Sequence, residues 1–298
     1  MKKEYIIPAI IILLAIGTLF TLSMTSTPAV NSSTTVKIAT TIFPLSDIAK
    51  NVGGDKITVV NILPPGASPH TYELTPSTVK KLLGTTVVFK IGAGLDDWAD
   101  PISDSIPQSQ KIAVSDGINL RPSSDPTESG DDPHYWLAPT NAKIIAANIA
   151  DQLSQKDPDN QEYYRQNLAA YQAQLDSLYQ EITAQLAPLT DHNLVTFHDA
   201  WAYFAKDFNL NILATFEPFP GQEPTPQYLQ NLGNEIKHYQ VKALFAEPQL
   251  AVDALNQFIK DRGLALYILD PLGGVTGRQT YADLIRYNAQ TVYNALRS

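Results

Sequence analysis

Histidine is the residue type on which the chemistry of this chain turns. Of five histidines, three stand in turn-rich or strand-end settings. His70 closes the segment Pro64-Pro65-Gly66-Ala67-Ser68-Pro69, His134 follows Asp131-Asp132-Pro133, and His198 comes directly after the apolar run Leu194–Phe197. The three are spaced 64 residues apart, and Asp270 follows 72 residues later at the end of another apolar run. Three imidazoles and a carboxylate are a donor set suited to a divalent transition metal. Local zinc motifs place their ligands about two to five residues apart. Here each donor comes from a different part of the chain, so an ion would be held between separate pieces of the fold. Taken singly, each histidine also fits a solvated loop side chain, and Asp270 before Pro271 fits a turn starter. His192, in a turn after Thr190-Asp191, and His238, at a helix end where a cation is favoured, read as ordinary surface histidines.

Positioning such donors requires a folded body, and the composition supports one. With 44% hydrophobic and 17% charged residues, the chain buries a core, and 298 residues suffice for about two domains. A net charge of −9 argues against a nucleic-acid partner, which calls for a basic face. The absence of cysteine excludes disulfides, thiolate ligands and thiol nucleophiles. It also leads to the expectation that the protein is not a lipoprotein, since a lipid on an N-terminal cysteine has no residue to attach to. Lys2 and Lys3 precede the apolar stretch Ile6–Phe20, and the next charge is Lys37. Residues 1–35 therefore read as a signal peptide or N-terminal membrane anchor followed by a Ser/Thr-rich tether, with the body outside the cytoplasm.

The body alternates β-branched runs with amphipathic stretches, the pattern of an α/β fold with mainly parallel sheets. Val36–Thr41, Ile57–Ile62, Thr86–Ile91 and Ile112–Val114 are predicted strands of a first unit. Leu194–Phe197, Ile212–Phe216, Val241–Ala246 and Leu264–Leu269 are those of a second. Thr75-Pro76 and Thr225-Pro226 open helices, with threonine as cap and proline in the first turn. Asn141–Lys156, Pro248–Arg262 and Tyr281–Leu296 are further predicted helices. Leu168, Tyr171, Leu175, Leu178, Ile182 and Leu186 recur at three and four residues, which predicts one long helix over Gln161–Leu186. The expected organisation is an N-terminal lobe over 36–157, a linker helix over 158–188 and a C-terminal lobe over 189–298. In open α/β sheets ligands gather at the carboxyl ends of strands. His70 and His134 fall in the first lobe and His198 and Asp270 in the second, so a cleft between lobes would collect all four.

Several longer segments carry a family resemblance: Pro64–Leu74 (PPGASPHTYEL), Asp132–Pro139 (DPHYWLAP), Thr196–Leu210 (TFHDAWAYFAKDFNL), Gly221–Pro226 (GQEPTP), Leu244–Gln249 (LFAEPQ) and Leu269–Gly274 (LDPLGG). In this order, across roughly residues 36–298, they resemble the zinc/manganese-type substrate-binding proteins of metal ABC transporters. The resemblance implies two α/β lobes joined by one long helix and a metal site in the cleft, with His70, His134, His198 and Asp270 as ligands. It also implies a divalent cation as cargo, an ABC permease as partner, a monomeric protein, and no catalytic cofactor. The chain departs from the family in having no histidine in the acidic loop 121–132, and Ala138 where an aspartate is frequent. Manganese-preferring members often replace the third histidine with glutamate. His198 therefore tilts the cargo toward zinc, with manganese as the alternative. Asp199, Glu217, Glu223 and Glu247 are candidate partners for the ligands' ring N–H groups.

Two other functions are compatible with the residues alone. One is a surface adhesion protein with a structural metal. The other is a secreted zinc hydrolase with Glu217 or Glu223 as base, which a closed four-ligand shell opposes.

Overall fold

β-Branched runs pair side by side as parallel strands, and the connections between them are helical because a parallel pair cannot be joined by a tight turn. The computed structural model describes residues 35–123, 130–216, 225–249 and 253–297. In the first lobe, β1 (Val36–Thr40), β2 (Ile57–Asn61), β3 (Val87–Lys90) and β4 (Gln110–Ala113) form a sheet of order β2-β1-β3-β4. Val36 lies opposite Ile57, Ile38 opposite Val87, and Phe89 opposite Ile112. In the second lobe, β5 (Asn193–Thr196), β6 (Asn211–Thr215), β7 (Ala243–Ala246) and β8 (Ala265–Ile268) take the order β6-β5-β7-β8. Every strand pair among the described residues is parallel. The two sheets thus repeat one topology, a relation that no sequence repeat announces.

Nine helices are described: α1 (Phe43–Gly53), α2 (Pro76–Lys81), α3 (Ile102–Ser105), α4 (Pro139–Lys156), α5 (Gln161–Leu186), α6 (Ala202–Asp207), α7 (Pro226–His238), α8 (Asp253–Arg262) and α9 (Tyr281–Leu296). The two Thr-Pro starts act as expected. Thr75 Oγ1 accepts from Thr78 N and Thr225 Oγ1 from Tyr228 N, each at 3.2 Å. The helix α1 is not among the sequence expectations. It has no side-chain cap, and its apolar residues run on from the preceding strand, which hides its start. Among the described residues no helix is long and apolar enough to cross a membrane.

The long helix is present. Its 26 residues span about 39 Å at 1.5 Å per residue, and Tyr171, Leu175, Leu178, Ile182 and Leu186 form its buried face. Near its start, Asn167 Nδ2 donates to Val52 O of α1 at 3.0 Å. Near its end, Glu181 pairs with Arg286 of α9 at 2.9 Å. The helix is therefore fastened to both lobes. A single apolar cluster is continuous through all three parts: Ile38 and Phe89 from the first lobe, Leu175 and Leu178 from α5, and Phe245, Leu269 and Val292 from the second.

Directed bonds stitch the lobes together around this core. Trp136 Nε1 donates to Pro271 O and Tyr281 Oη to Trp136 O, both at 2.8 Å, while Tyr281 N donates to Asp47 Oδ2 at 2.9 Å. At Gly274 the backbone of the second lobe packs against the Phe43 side chain of the first. The glycine's φ is 75°, and a Cβ there would lie 3.0 Å from Phe43 Cγ. A side chain at 274 adds left-handed strain to a collision across the cleft. Gly274→Ala is expected to lower stability by at least about 1 kcal/mol. Urea denaturation checks it, and a wild-type midpoint would remove Gly274 from the lobe contact.

Candidate metal centre

Each histidine is placed by a different element. His70 lies on the connection from β2 to α2, where Trp98 Nε1 donates to Pro69 O at 2.9 Å and His70 N to Ser68 Oγ at 3.3 Å. His134 begins a 3-10 turn, His134–Leu137, that leads into α4. His198 follows β5. His134 and His198 are buried, whereas His70 is exposed as a residue with its ring turned inward against the other two.

The three imidazoles converge. His134 Nε2 is 3.3 Å from His70 Nε2 and 3.4 Å from His198 Nε2, and the three donor nitrogens all lie within 4.8 Å of one another. Bonds of about 2.0–2.1 Å to a tetrahedral ion put neighbouring donors about 3.3–3.4 Å apart. Two of the three separations match that edge. The partly open cleft they line with Trp136, Glu247 and Gln249 holds about 10 Å³, room for one water-sized occupant.

The far side of two rings is held by carboxylates. Asp132 Oδ1 accepts from His134 Nδ1 at 2.8 Å and from His134 N at 2.9 Å. Glu247 Oε1 lies 2.7 Å from His198 Nδ1 and accepts from Trp201 Nε1 at 3.0 Å. A carboxylate on Nδ1 keeps the proton there and leaves the Nε2 lone pair facing the cleft. Of the expected outer partners, Glu247 takes that place. Asp199 pairs instead with Arg121 at 3.4 Å, and Arg121 Nη1 is also 3.6 Å from Asp132 Oδ2. Glu217 and Glu223 lie outside the described residues. Asp132 went unassigned in the sequence reading, although an acid two residues before a histidine was a visible signal.

Asp270 does not join the three-histidine group. It lies just past β8, almost fully buried, with Oδ1 accepting from Leu272 N at 2.9 Å, Gly273 N at 3.1 Å and Gln249 Nε2 at 3.2 Å. Its Oδ2 is 2.8 Å from Arg278 Nε. Asn288 binds its backbone at both N and O, each at 2.8 Å.

The cluster's electrostatics follow from burial and neighbours. Burial and then the charges of His134 and His198 push the His70 imidazole down to about 2. Burial also pushes His198 down, but the Glu247 carboxylate outweighs it and leaves His198 above the ordinary histidine value. Three clustered imidazoles cannot all carry charge, and the Glu247 carboxylate favours the charged form of His198 over that of His70.

The model of the ZnuA family, described as zinc-uptake complex component A, periplasmic, matches residues 38–295. The chain belongs to that family. The metal ABC transporter substrate-binding lipoprotein SsaB of Streptococcus sanguinis is 30% identical over 301 residues, covering 96% of this chain and 97% of SsaB. The manganese ABC transporter substrate-binding lipoprotein PsaA of Streptococcus pneumoniae is 31% identical over 277 residues, covering 90% and 89%. The crystal structure of a zinc-bound ZnuA deletion mutant matches with a TM-score of 0.80 and 31% identity, covering 88% of this chain and 98% of that one. The protein is thus a metal-binding component of an ABC importer, and its ion is cargo rather than a cofactor. It is not an enzyme. The adhesion reading is not favoured.

One expectation is corrected by these relatives. The lack of cysteine was read as setting the protein apart from lipoproteins, yet its full-length relatives are named lipoproteins. A cysteine count bears on one attachment chemistry at the N-terminus. It does not separate a chain from a family whose likeness lies in the body that follows.

Two outcomes follow from the geometry. Glu247→Gln keeps the shape but removes the charge behind His198, and metal affinity is expected to fall by roughly 10–100-fold in competitive titration. Because the His198 value is raised, its imidazolium persists to higher pH and the metal must displace that proton. Affinity therefore falls as pH drops through the raised value. Binding near neutral pH should release a proton, seen as a calorimetric heat that varies with the buffer's ionisation enthalpy.

Proposed function

We propose that the protein captures a single zinc ion through the Nε2 atoms of His70, His134 and His198 and hands it to a membrane permease. The observation that carries this reading is the pair of 3.3 and 3.4 Å nitrogen separations, which suit a tetrahedral ion. Neutral imidazoles bind zinc well, whereas manganese favours harder, oxygen-rich shells. The manganese relative keeps the second metal in view, and Asp270 is the nearby carboxylate through which an oxygen donor would enter.

The lobes (36–157 and 189–298) and their linker (158–188) share one apolar core, which supports small movements of ligand-bearing loops over wide hinge opening. The protein acts as a monomer. Lys2, Lys3 and the apolar stretch Ile6–Phe20 support retention of the body at a membrane surface.

The body is expected to bind one zinc per chain. His198→Ala should weaken binding by more than the roughly 10–100-fold that loss of an outer partner costs. Wild-type affinity in that variant, measured by calorimetry, would sink the assignment. Chelation is expected to leave a folded protein with a lower melting temperature, because the apolar core is complete without the ion. Zinc at about a thousand times its Kd should restore about 4 kcal/mol. Unfolding on chelation would instead make the metal structural.

A further inference from the structure

Six consecutive residues of the second lobe, His198–Tyr203, reach the surroundings of two of the clustered imidazoles. His198 supplies one of the three nitrogens. Trp201 Nε1 donates at 3.0 Å to Glu247 Oε1, the carboxylate behind His198. Tyr203, buried on α6, turns its hydroxyl to the first lobe. It donates to Asp132 O at 3.0 Å and accepts from Arg121 N at 2.9 Å. Asp132 N in turn donates to Arg121 O at 2.8 Å. One hydroxyl of the second lobe thus holds both ends of the acidic loop 121–132. The side chains repeat the link. Arg121 Nη2 is 3.4 Å from Asp199 Oδ2, and Nη1 is 3.6 Å from Asp132 Oδ2. That Asp132 oxygen is buried and accepts no hydrogen bond, so the Arg121 guanidinium is the countercharge it faces.

We infer that Tyr203 is a positioning residue for ion release: by holding Asp132 from the opposite lobe, its hydroxyl makes His134 and His198 give up the ion together. The inference rests on the zinc-capture reading above. Asp132 Oδ1 fixes His134 at both Nδ1 and N, so His134 stays aimed at the cleft only while Asp132 stays in place. Asp132 is kept in place by the segment that carries His198. A movement that draws His198 off the ion shifts Asp199 and Tyr203 with it, and so disturbs Asp132 and His134. Members of a buried polar network of this kind reinforce one another, and losing one weakens the rest. His70 is placed by Trp98 and Ser68 of its own lobe and stands outside the linkage. Phenylalanine at 203 would keep the ring and remove only the oxygen, leaving Arg121 N and Asp132 O without their shared partner. The loaded state, in which all donors are held at once, suffers most, and losses of that kind fall mainly on the dissociation rate.

The test follows zinc leaving the intact chain into excess chelator by stopped flow, beside the rate of zinc uptake. Tyr203→Phe is expected to speed release roughly tenfold, the lower end of what loss of a ligand's outer support costs, and to leave uptake unchanged. Because the hydroxyl acts through Asp132, the same substitution in an Asp132→Asn background should add little further acceleration. A merely structural tyrosine would speed release by the same factor in both backgrounds. That result overturns the inference, as does an unchanged release rate in the folded single variant. Should Tyr203→Phe fail to fold by circular dichroism, Arg121→Gln decides in its place. It cuts the side-chain link from Asp199 to Asp132, and the same faster release with the same dependence on Asp132 is expected, while wild-type release overturns the inference. A wild-type chain that takes up no zinc would remove the capture reading and this inference with it. Normal zinc uptake with unaltered release in the variant removes this inference alone.

Discussion

Imidazole nitrogens 3.3 Å apart with their lone pairs facing one another repel unless a proton or a cation lies between them. Holding three such rings together is the constraint that the rest of the architecture serves. No single lobe could meet it, since His70 and His134 come from the first and His198 from the second. The opposing work is done by the apolar cluster that passes without a break from Ile38 through Leu175 to Val292, and by the Trp136–Pro271 and Tyr281–Trp136 bonds across the lobes. Carboxylates then add their own pull. Asp132 and Glu247 fix two rings from behind, so rotating either histidine away from the cleft would break a buried charged contact.

Much of this was legible in the residues. Parallel strands were readable because they are short runs rich in β-branched and apolar residues bounded by turns, and the long helix because its stripe recurs without a Gly or Pro to interrupt it. The three histidines stood out because each closes a turn or a strand, where α/β folds collect ligands. What stayed hidden is what depends on distant partners. The duplicated strand order carries no matching sequence signal, because a parallel sheet needs only apolar runs and crossovers, which many sequences supply. The start of α1 is masked by apolar residues that continue from β1. The pairing of Asp270 with Arg278, eight positions later, depends on a turn whose path is set by Gly273 and Gly274. The relatives supplied what neither residues nor geometry settle, namely the transport role, and with it the lipoprotein names of SsaB and PsaA.

The two sheets divide the labour unequally. In the first lobe the binding residues lie on connections after a strand or before a helix, where backbone bonds such as Trp98 to Pro69 hold the path. In the second they sit hard against strand ends, backed by Glu247 and Asn288, which are 3% and 0% exposed. The second lobe therefore forms the more rigid wall, and the His70 connection is the part with freedom to yield when the ion enters or leaves.

The volume of the cleft that the three rings line bears on the speed of capture. A space of about 10 Å³ takes one water-sized body, so an ion arriving with its full hydration shell cannot enter intact. It must exchange waters for nitrogens at the mouth, one after another, and His70, the one exposed residue of the three, is the donor it meets while still hydrated. Capture then runs at the pace of ligand exchange rather than of diffusion. An ion that sheds water readily gains on one that holds its shell tightly, whatever their final affinities.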